Sequence, residues 1–115
     1  MAPFSAILAA VISAANSNPD GFTLDLETFT LATSGVAVAL EATQNSHGTD
    51  GLARVIDYCI DNNIRYIGGW LDSTSGKFYY DATVVLSDRA KAIELGRLNH
   101  HLAIFDMDEC QEIRL

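Results

Sequence analysis

Histidine and cysteine are the residue types in this sequence most able to do chemistry, as metal ligands, proton carriers or nucleophiles. The chain has three histidines and two cysteines, at positions His47, His100, His101, Cys59 and Cys110. No two histidines have the four-residue spacing of a helical metal site, and the cysteines form neither a metal knuckle nor a redox pair. We therefore expect no metal, no cofactor and no catalytic residue. A hydrolase that uses His47 or His100 is the weakest alternative.

Carboxylates are grouped at Asp106, Asp108 and Glu109, and carboxylates are the ligands that calcium prefers. The glycine and glutamate that complete an EF-hand loop are absent at the required spacing. The sequence also lacks a Gly-rich phosphate loop, a Gly-x-Ser-x-Gly elbow and a His-Glu-x-x-His motif. This pattern favours a solvated acidic turn in a protein that is not an enzyme.

The pair Gly68-Gly69 followed by Trp70 indicates a strand with a bulge or a close backbone approach. Trp70 then packs in the core, the commoner fate of a large aromatic residue, or it covers a pocket or anchors a partner. Tyr79 and Tyr80 are adjacent in a predicted strand, so one of them must point away from the core. That outward tyrosine takes part in ordinary cross-strand packing or in binding.

The hydrophobic periodicity predicts a single α+β domain over residues 1–115, with a mainly antiparallel sheet of four to six strands and about three helices. The predicted order is α-β-β-α-β-β-α-β. Helices are expected over residues 4–15, 50–62 and 88–99, and strands over 22–26, 33–41, 64–71, 77–86 and 101–106, with a short edge at 111–115. Residues 27–31 and 43–48 are expected to be loops.

The first helix should pack through the apolar residues Phe4, Ile7, Leu8, Val11 and Ile12. Thr49 or Asp50 should cap the second helix and Ser87 or Asp88 the third. The second helix has an apolar stripe of Leu52, Val55, Ile56 and Cys59, and its acidic residues Asp50, Asp57 and Asp61 lie on the opposite side. Gly96 in the third helix indicates a close contact between helix and sheet.

The charge balance limits the classes of partner. The 115 residues include 7 basic and 15 acidic ones, for a formal net charge of −8. DNA, RNA and anionic membranes are met by basic surfaces, so we expect no direct binding to nucleic acid or membrane. Cys59 should be a buried free thiol, which is typical of a reducing cytoplasm. Residues 4–15 are too short to span a bilayer and lack the basic start of a signal peptide, so we expect a soluble cytoplasmic protein.

A resemblance covers nearly the whole chain. It lies in the segments 18–23 (NPDGFT), 43–46 (TQNS), 68–72 (GGWLD), 76–81 (GKFYYD), 92–99 and 103–106 (AIFD). In these segments the chain resembles small, largely uncharacterised proteins of phages and mobile elements of gut bacteria. The resemblance implies a bacterial host and an accessory role such as inhibition of host defence, as in anti-CRISPR proteins. It carries over no active site, and His100-His101 departs from the pattern at that position.

Two hypotheses for function follow. In the first, the protein inhibits a defence system such as a CRISPR nuclease by binding a basic protein partner. Its expected partner-binding residues are the acidic Asp50, Asp57 and Asp61 and the aromatic Trp70, Tyr79 and Tyr80. In the second, the Gly-Gly-Trp corner and the tyrosines line an aromatic pocket for a small ligand. The sequence predicts no oligomeric state.

Overall fold

Three helices cover one face of an antiparallel sheet in the computed structural model of this chain, which describes residues 1–101 and 103–115. The helices are α1 (Phe4–Ser17), α2 (Gly48–Asn62) and α3 (Arg89–Leu98). The strands are β1 (Gly21–Asp25), β2 (Thr30–Leu31), β3 (Val36–Ala39), β4 (Ser46–His47), β5 (Tyr66–Leu71), β6 (Phe78–Leu86), β7 (Ala103–Asp106) and β8 (Gln111–Arg114). A single 3-10 turn spans Glu41–Thr43. The predicted α+β class is confirmed.

The predicted strand number and order are wrong in detail, because the described residues form a sheet of eight strands. The two additional strands, β2 and β4, have two residues each and lie in segments whose polar composition indicates loops. Each is held by a longer neighbour, β2 by β1 and β4 by β6. The short edge strand expected near 111–115 is confirmed as β8. The predicted strand 101–106 is observed from Ala103, and its residue Leu102 lies outside the described residues.

The strand order across the sheet is β2-β1-β5-β6-β3-β7-β8, and β4 lies beside β3 on the same edge of β6. Every pair is antiparallel. The long hairpin of β5 and β6 pairs Leu71 with Phe78 and Tyr66 with Thr83, so its register is regular throughout. The pair Gly68-Gly69 therefore makes no bulge, which corrects the first of the two expectations for that site.

All three helices lie on the same face of the sheet. Alternation along β6 points Ala82 and Val84 toward this face, and both belong to or contact the core. Helices α1 and α2 pack over β1, β5 and β6, with Ile7, Val11, Val55, Ile56 and Ile67 fully buried. Helix α3 packs over β3 and β7 through Ala92 and Ile104. No helix of the described residues covers the opposite face, which we call the open face.

The helix ends show which of the predicted capping residues form caps. The Asp88 carboxylate accepts the Lys91 amide at 3.1 Å, as predicted for the cap of α3. Asn63 ends α2 in a left-handed conformation. Helix α2, however, begins at Gly48, and neither Thr49 nor Asp50 caps it; its N-cap is His47, whose side chain makes no capping bond.

Two packing expectations have opposite outcomes. Ile12 is exposed, contrary to its expected place in the stripe of α1, because it lies about 140° around the helix from the fully buried Ile7. Gly96 of α3 is confirmed as a close contact: a Cβ there would lie 2.7 Å from Leu115 and 2.8 Å from Ile104. Among the helices of residues 1–101 and 103–115, none has both the length and the apolar character needed to span a bilayer.

Candidate binding groove on the open face

A groove of about 1000 Å³ runs across the open face. Its depth comes from small residues in the strands on either side of β6, among them Gly68 of β5 and Ala37 and Ala39 of β3. The cross-strand register puts larger side chains around these positions. On the open face the aligned rows are Trp70–Tyr79–His47, then Thr23–Gly68–Asp81, then Tyr66–Thr83–Ala39, then Val85–Ala37–Phe105. Rows on one face of a sheet are about 7 Å apart.

Asp81 is the most unusual side chain in the groove. It lies opposite Gly68, where a Cβ would come within 2.8 Å of both the Asp81 carboxylate and the Thr83 hydroxyl. The absence of a side chain at Gly68 therefore leaves the space that the carboxylate fills. Burial raises the pKa of Asp81 to about 7, while the hydrogen bond donated by Thr83 opposes the rise. Asp81 is thus part protonated near neutral pH, and it keeps some exposure to the groove.

An aromatic row borders the groove on the same face as Asp81, two residues further along each strand. Trp70 stacks on Tyr79 with ring centroids 4.9 Å apart and planes at 18°. His47 meets the other side of Tyr79 edge-on at 5.5 Å. Trp70 is 47% exposed, so the expectation of a core tryptophan is wrong. Successive side chains of a strand point to opposite faces of the sheet, and Trp70 is three residues from Ile67, which points into the helix-covered core. Trp70 therefore points to the open face.

The charged side chains in the described lining of the groove are mainly acidic. This lining contains the carboxylates of Asp20, Asp72, Asp81 and Glu112, the histidines His100 and His101, and no lysine or arginine. Glu112 pairs with Arg114 at 2.9 Å on the outer strand, and Asp72 accepts two hydrogen bonds within its own turn. Among the described residues, Asp81 has neither a cationic partner nor hydrogen bonds that organise a turn. The groove is therefore a negatively charged, partly aromatic surface.

The predicted partner-binding residues do not form one surface. Asp50, Asp57 and Asp61 are exposed on the outer side of α2, which covers the other face of the sheet. Trp70 and Tyr79 lie on the open face. Tyr80 points the opposite way from Tyr79 and packs against the core, with its ring centroid 5.2 Å from that of Phe78. Burial raises the pKa of Tyr80. Tyr79 is accordingly the outward member of the pair.

His100 and the acidic turn have structural partners, whereas the buried Nε2 of His101 has none among the described residues. Nδ1 of His100 lies 3.1 Å from the Glu41 carboxylate on the surface. Nε2 of His101 is buried and has no hydrogen-bond partner among residues 1–101 and 103–115. Asp106 accepts the amides of Asp108 and Glu109 and pairs with Arg89, so it organises the turn in which it lies. Within the described chain, no group of three or more histidine, cysteine or acidic side chains is placed to hold a metal ion.

The cysteines are both free thiols. Cys59 is fully buried on the stripe of α2, which confirms its expected position. Burial first, and the nearby Asp81 charge second, raise the pKa of Cys59 to about 12, so it has no thiolate character at neutral pH. Cys110 is exposed.

Asp81 and its neighbour Gly68 are the feature that sequence reasoning missed. The alternation of the strand does put Asp81 on the same side as Tyr79, so its outward direction could be inferred. Its burial could not, because that depends on which residue lies opposite in β5 and therefore on the register. The signal available was the glycine pair itself, since a strand glycine marks a close approach.

Comparison of the chain with protein-family models, with curated proteins and with solved structures finds no match. The function is therefore argued from the geometry of the groove.

Proposed function

We propose that this protein acts by binding a basic partner protein through the groove on its open face, without catalysing a reaction. The observation that carries the proposal is Trp70, which is 47% exposed, stacked on Tyr79 and placed at the border of a groove of about 1000 Å³. Tryptophan and tyrosine are the residues most often found at the energetic centre of protein interfaces. A large rigid aromatic pair on an uncovered sheet face is suited to that role.

The shape of the groove favours a protein partner over a small molecule. Its volume lies at the upper end of the range for small-ligand pockets, which enclose most of their ligand. This groove lies along the surface of a sheet and is bordered by exposed side chains such as Trp70 and Phe105. Such a surface accepts a segment or a side-chain cluster of another protein. A small ligand with an aromatic ring is the second candidate, supported by the same Trp70–Tyr79 stack.

Charge defines the kind of protein. The net charge is −8, and the described lining of the groove is acidic. Complementary charge speeds association and rejects acidic competitors. A partner with exposed arginine or lysine therefore fits best. The outer side of α2, with Asp57 and Asp61, is a separate acidic surface that adds to the attraction at long range.

The setting of the proposal comes from the resemblance to phage and mobile-element proteins. Under it, the protein acts in the bacterial cytoplasm and inhibits a host defence system such as a CRISPR nuclease. Nucleases carry basic surfaces for their nucleic acid, so an acidic groove with an aromatic anchor is suited to compete for such a surface. This identifies a defence nuclease as the first partner to test.

The experiment compares proteins retained from a host lysate by three immobilised forms: wild type, Trp70→Ala, and Asp57→Asn with Asp61→Asn. The proposal expects a basic protein that Trp70→Ala fails to retain and that the α2 double variant still retains. Purified candidates are then measured for direct affinity. A partner that binds Trp70→Ala as tightly as wild type would contradict the proposal, and one lost only in the double variant would place the function on α2.

A further inference from the structure

We infer that the groove recognises an arginine side chain, with its guanidinium held between the Asp81 carboxylate and the Trp70–Tyr79 stack. The inference rests on the proposed function and names the chemical group that the groove would take from its partner. Guanidinium suits the site because it forms paired hydrogen bonds with a carboxylate and stacks on aromatic rings. Lysine supplies the charge without that flat shape.

Asp81 has no counter-charge among the described residues. Its Oδ1 accepts the Thr83 hydroxyl, and its Oδ2 accepts no hydrogen bond from residues 1–101 and 103–115. Asp25 and Asp106 each pair with an arginine, at 2.8 Å and 3.4 Å. No lysine or arginine lies in the described lining around Asp81. A buried carboxylate without a cation is costly, and a cation from another molecule would remove that cost.

An aromatic stack lies next to Asp81. Trp70 and Tyr79 lie one row from Asp81 on the same face, about 7 Å along the strands. An arginine side chain that reaches Asp81 from this border of the groove passes along these rings. Arginine on an aromatic face gains cation–π energy, most of all on tryptophan. The same chain shows the preference internally, since the Arg65 guanidinium lies over the Tyr66 ring at 5.4 Å.

The groove also has space for a long side chain. The Asp81 carboxylate fills the place of a side chain at Gly68, and small residues, Ala37 and Ala39, occupy two positions of the floor in β3. A long side chain can therefore lie along the groove without displacing protein atoms. The uncharged floor leaves Asp81 as the central charge, with Asp20 and Asp72 nearer the border.

A pH dependence follows from the geometry. A bound cation favours the charged form of Asp81, so binding should release a proton and strengthen as the pH rises through about 7. Other groups face the same region: Asp20, Asp72, Tyr79, His100, His101 and Glu112 line the groove, and the Cys59 thiol lies behind the sheet on α2. A variant at Asp81 separates its part from theirs.

The test uses the fluorescence of Trp70, the only tryptophan in the chain, with two defined probes. One is acetyl-tri-arginine amide, and the other is the matched tri-citrulline peptide, which has the same shape without the charge. Wild type should respond to tri-arginine in a saturable way and bind it more tightly at pH 8 than at pH 6. Asp81→Asn should lower the affinity about tenfold, the effect of losing one charge-assisted hydrogen bond, and should flatten most of the pH dependence. The matched control Asp57→Asn removes the same charge from α2 and should bind like wild type at moderate salt, where the long-range attraction of exposed charges is screened.

Three results would overturn the inference: equal binding of tri-citrulline, equal loss in Asp81→Asn and Asp57→Asn, or no response of Trp70 to tri-arginine. Circular dichroism on each variant confirms that the fold is intact before binding is measured. The inference and the proposed function can fail separately. A captured partner that needs Trp70 but binds Asp81→Asn normally overturns the arginine site alone. Normal binding of that partner to Trp70→Ala overturns the proposed function.

Discussion

Asp81 has a stability cost in the free protein that a binding role would explain. Its folded pKa is raised to about 7 by burial, above the value of about 4 for an unfolded aspartate. A raised carboxyl pKa stabilises the fold at low pH, where the group is protonated in both states. That stability is lost as the pH rises from about 4 through 7, since the folded chain must then ionise a buried group.

We therefore expect Asp81→Asn to be more stable than wild type at pH 8, because asparagine keeps an acceptor for Thr83 and carries no charge. The gain should be about 1–2 kcal/mol, less than the full shift because the side chain keeps some contact with water. Urea unfolding at pH 8 and pH 5 measures it, and the gain should be smaller at pH 5. A loss of stability at pH 8 would contradict this account of the carboxyl.

Asp25 should behave in the opposite way. It is 7% exposed, and its carboxylate accepts two hydrogen bonds from Arg65 Nε and one from Nη2, together with the Glu27 amide. The Arg65 hydrogen bonds lower the pKa of Asp25, with a smaller opposing effect of burial. The stability it supplies is therefore present above the ordinary aspartate pKa and is lost as the pH falls through the lowered one.

Asp25→Asn should lower the free energy of unfolding at pH 7 by about 1–2 kcal/mol, a modest figure because Arg65 is half exposed. The difference from wild type should shrink in strong acid, where both forms lack the charge. Thermal unfolding across the acid range checks the trend. An equal difference at every pH would show that shape alone, and no ion pair, is lost.

At the scale of the elements, α3 depends on its N-cap. The Asp88 carboxylate accepts the Lys91 amide, and the helix that follows is only ten residues long, so one cap is a large part of its local stability. Asp88→Ala should lower the free energy of unfolding by about 1 kcal/mol, equivalent to roughly 4 °C in melting temperature. Calorimetry measures the change. The control is Asp57→Ala, which removes an exposed aspartate within α2 that caps no helix. Equal melting temperatures in the two variants would exclude the cap.

The elements also show what the sequence could predict. Helix α2 was predicted because its stripe from Leu52 to Cys59 has the helical period and a strong contrast between its two sides. Strand β4 was not predicted, because Ser46 and His47 have no strand pattern of their own. They become a strand through pairing with Tyr80 and Tyr79. Short strands of this kind are set by the partner, which local sequence does not report.

Some features of the candidate site could likewise be predicted from the sequence and others could not. The alternation of Tyr79 and Tyr80 predicted that one ring points outward, and the structure identifies it as Tyr79. The exposure of Trp70 could not be predicted, since alternation does not say which face of a sheet the helices will cover. The grouping of Trp70 with Asp57 and Asp61 failed for the same reason. Helix α2 lies on the face that Trp70 does not share.

At the scale of the whole molecule, the fold separates two acidic surfaces. One is the outer side of α2, and the other is the groove on the open face, where carboxylates accompany the exposed Trp70–Tyr79 stack. Charge without an apolar anchor gives fast and weak encounters, whereas an anchor in a groove slows dissociation. The account therefore assigns specific binding to the open face and only long-range attraction to α2.

Amide NMR of the protein during titration with acetyl-tri-arginine amide tests this assignment most directly, because it reports both surfaces in one experiment. The account predicts that the largest shifts occur at the Trp70 indole N–H and at the backbone amides of Gly68, Asp81 and Thr83. The amides of Asp57 and Asp61 should change little at moderate salt, where exposed charges are screened. Shifts confined to α2, with the Trp70 indole N–H unmoved at saturation, would contradict the claim that the open face is the binding surface.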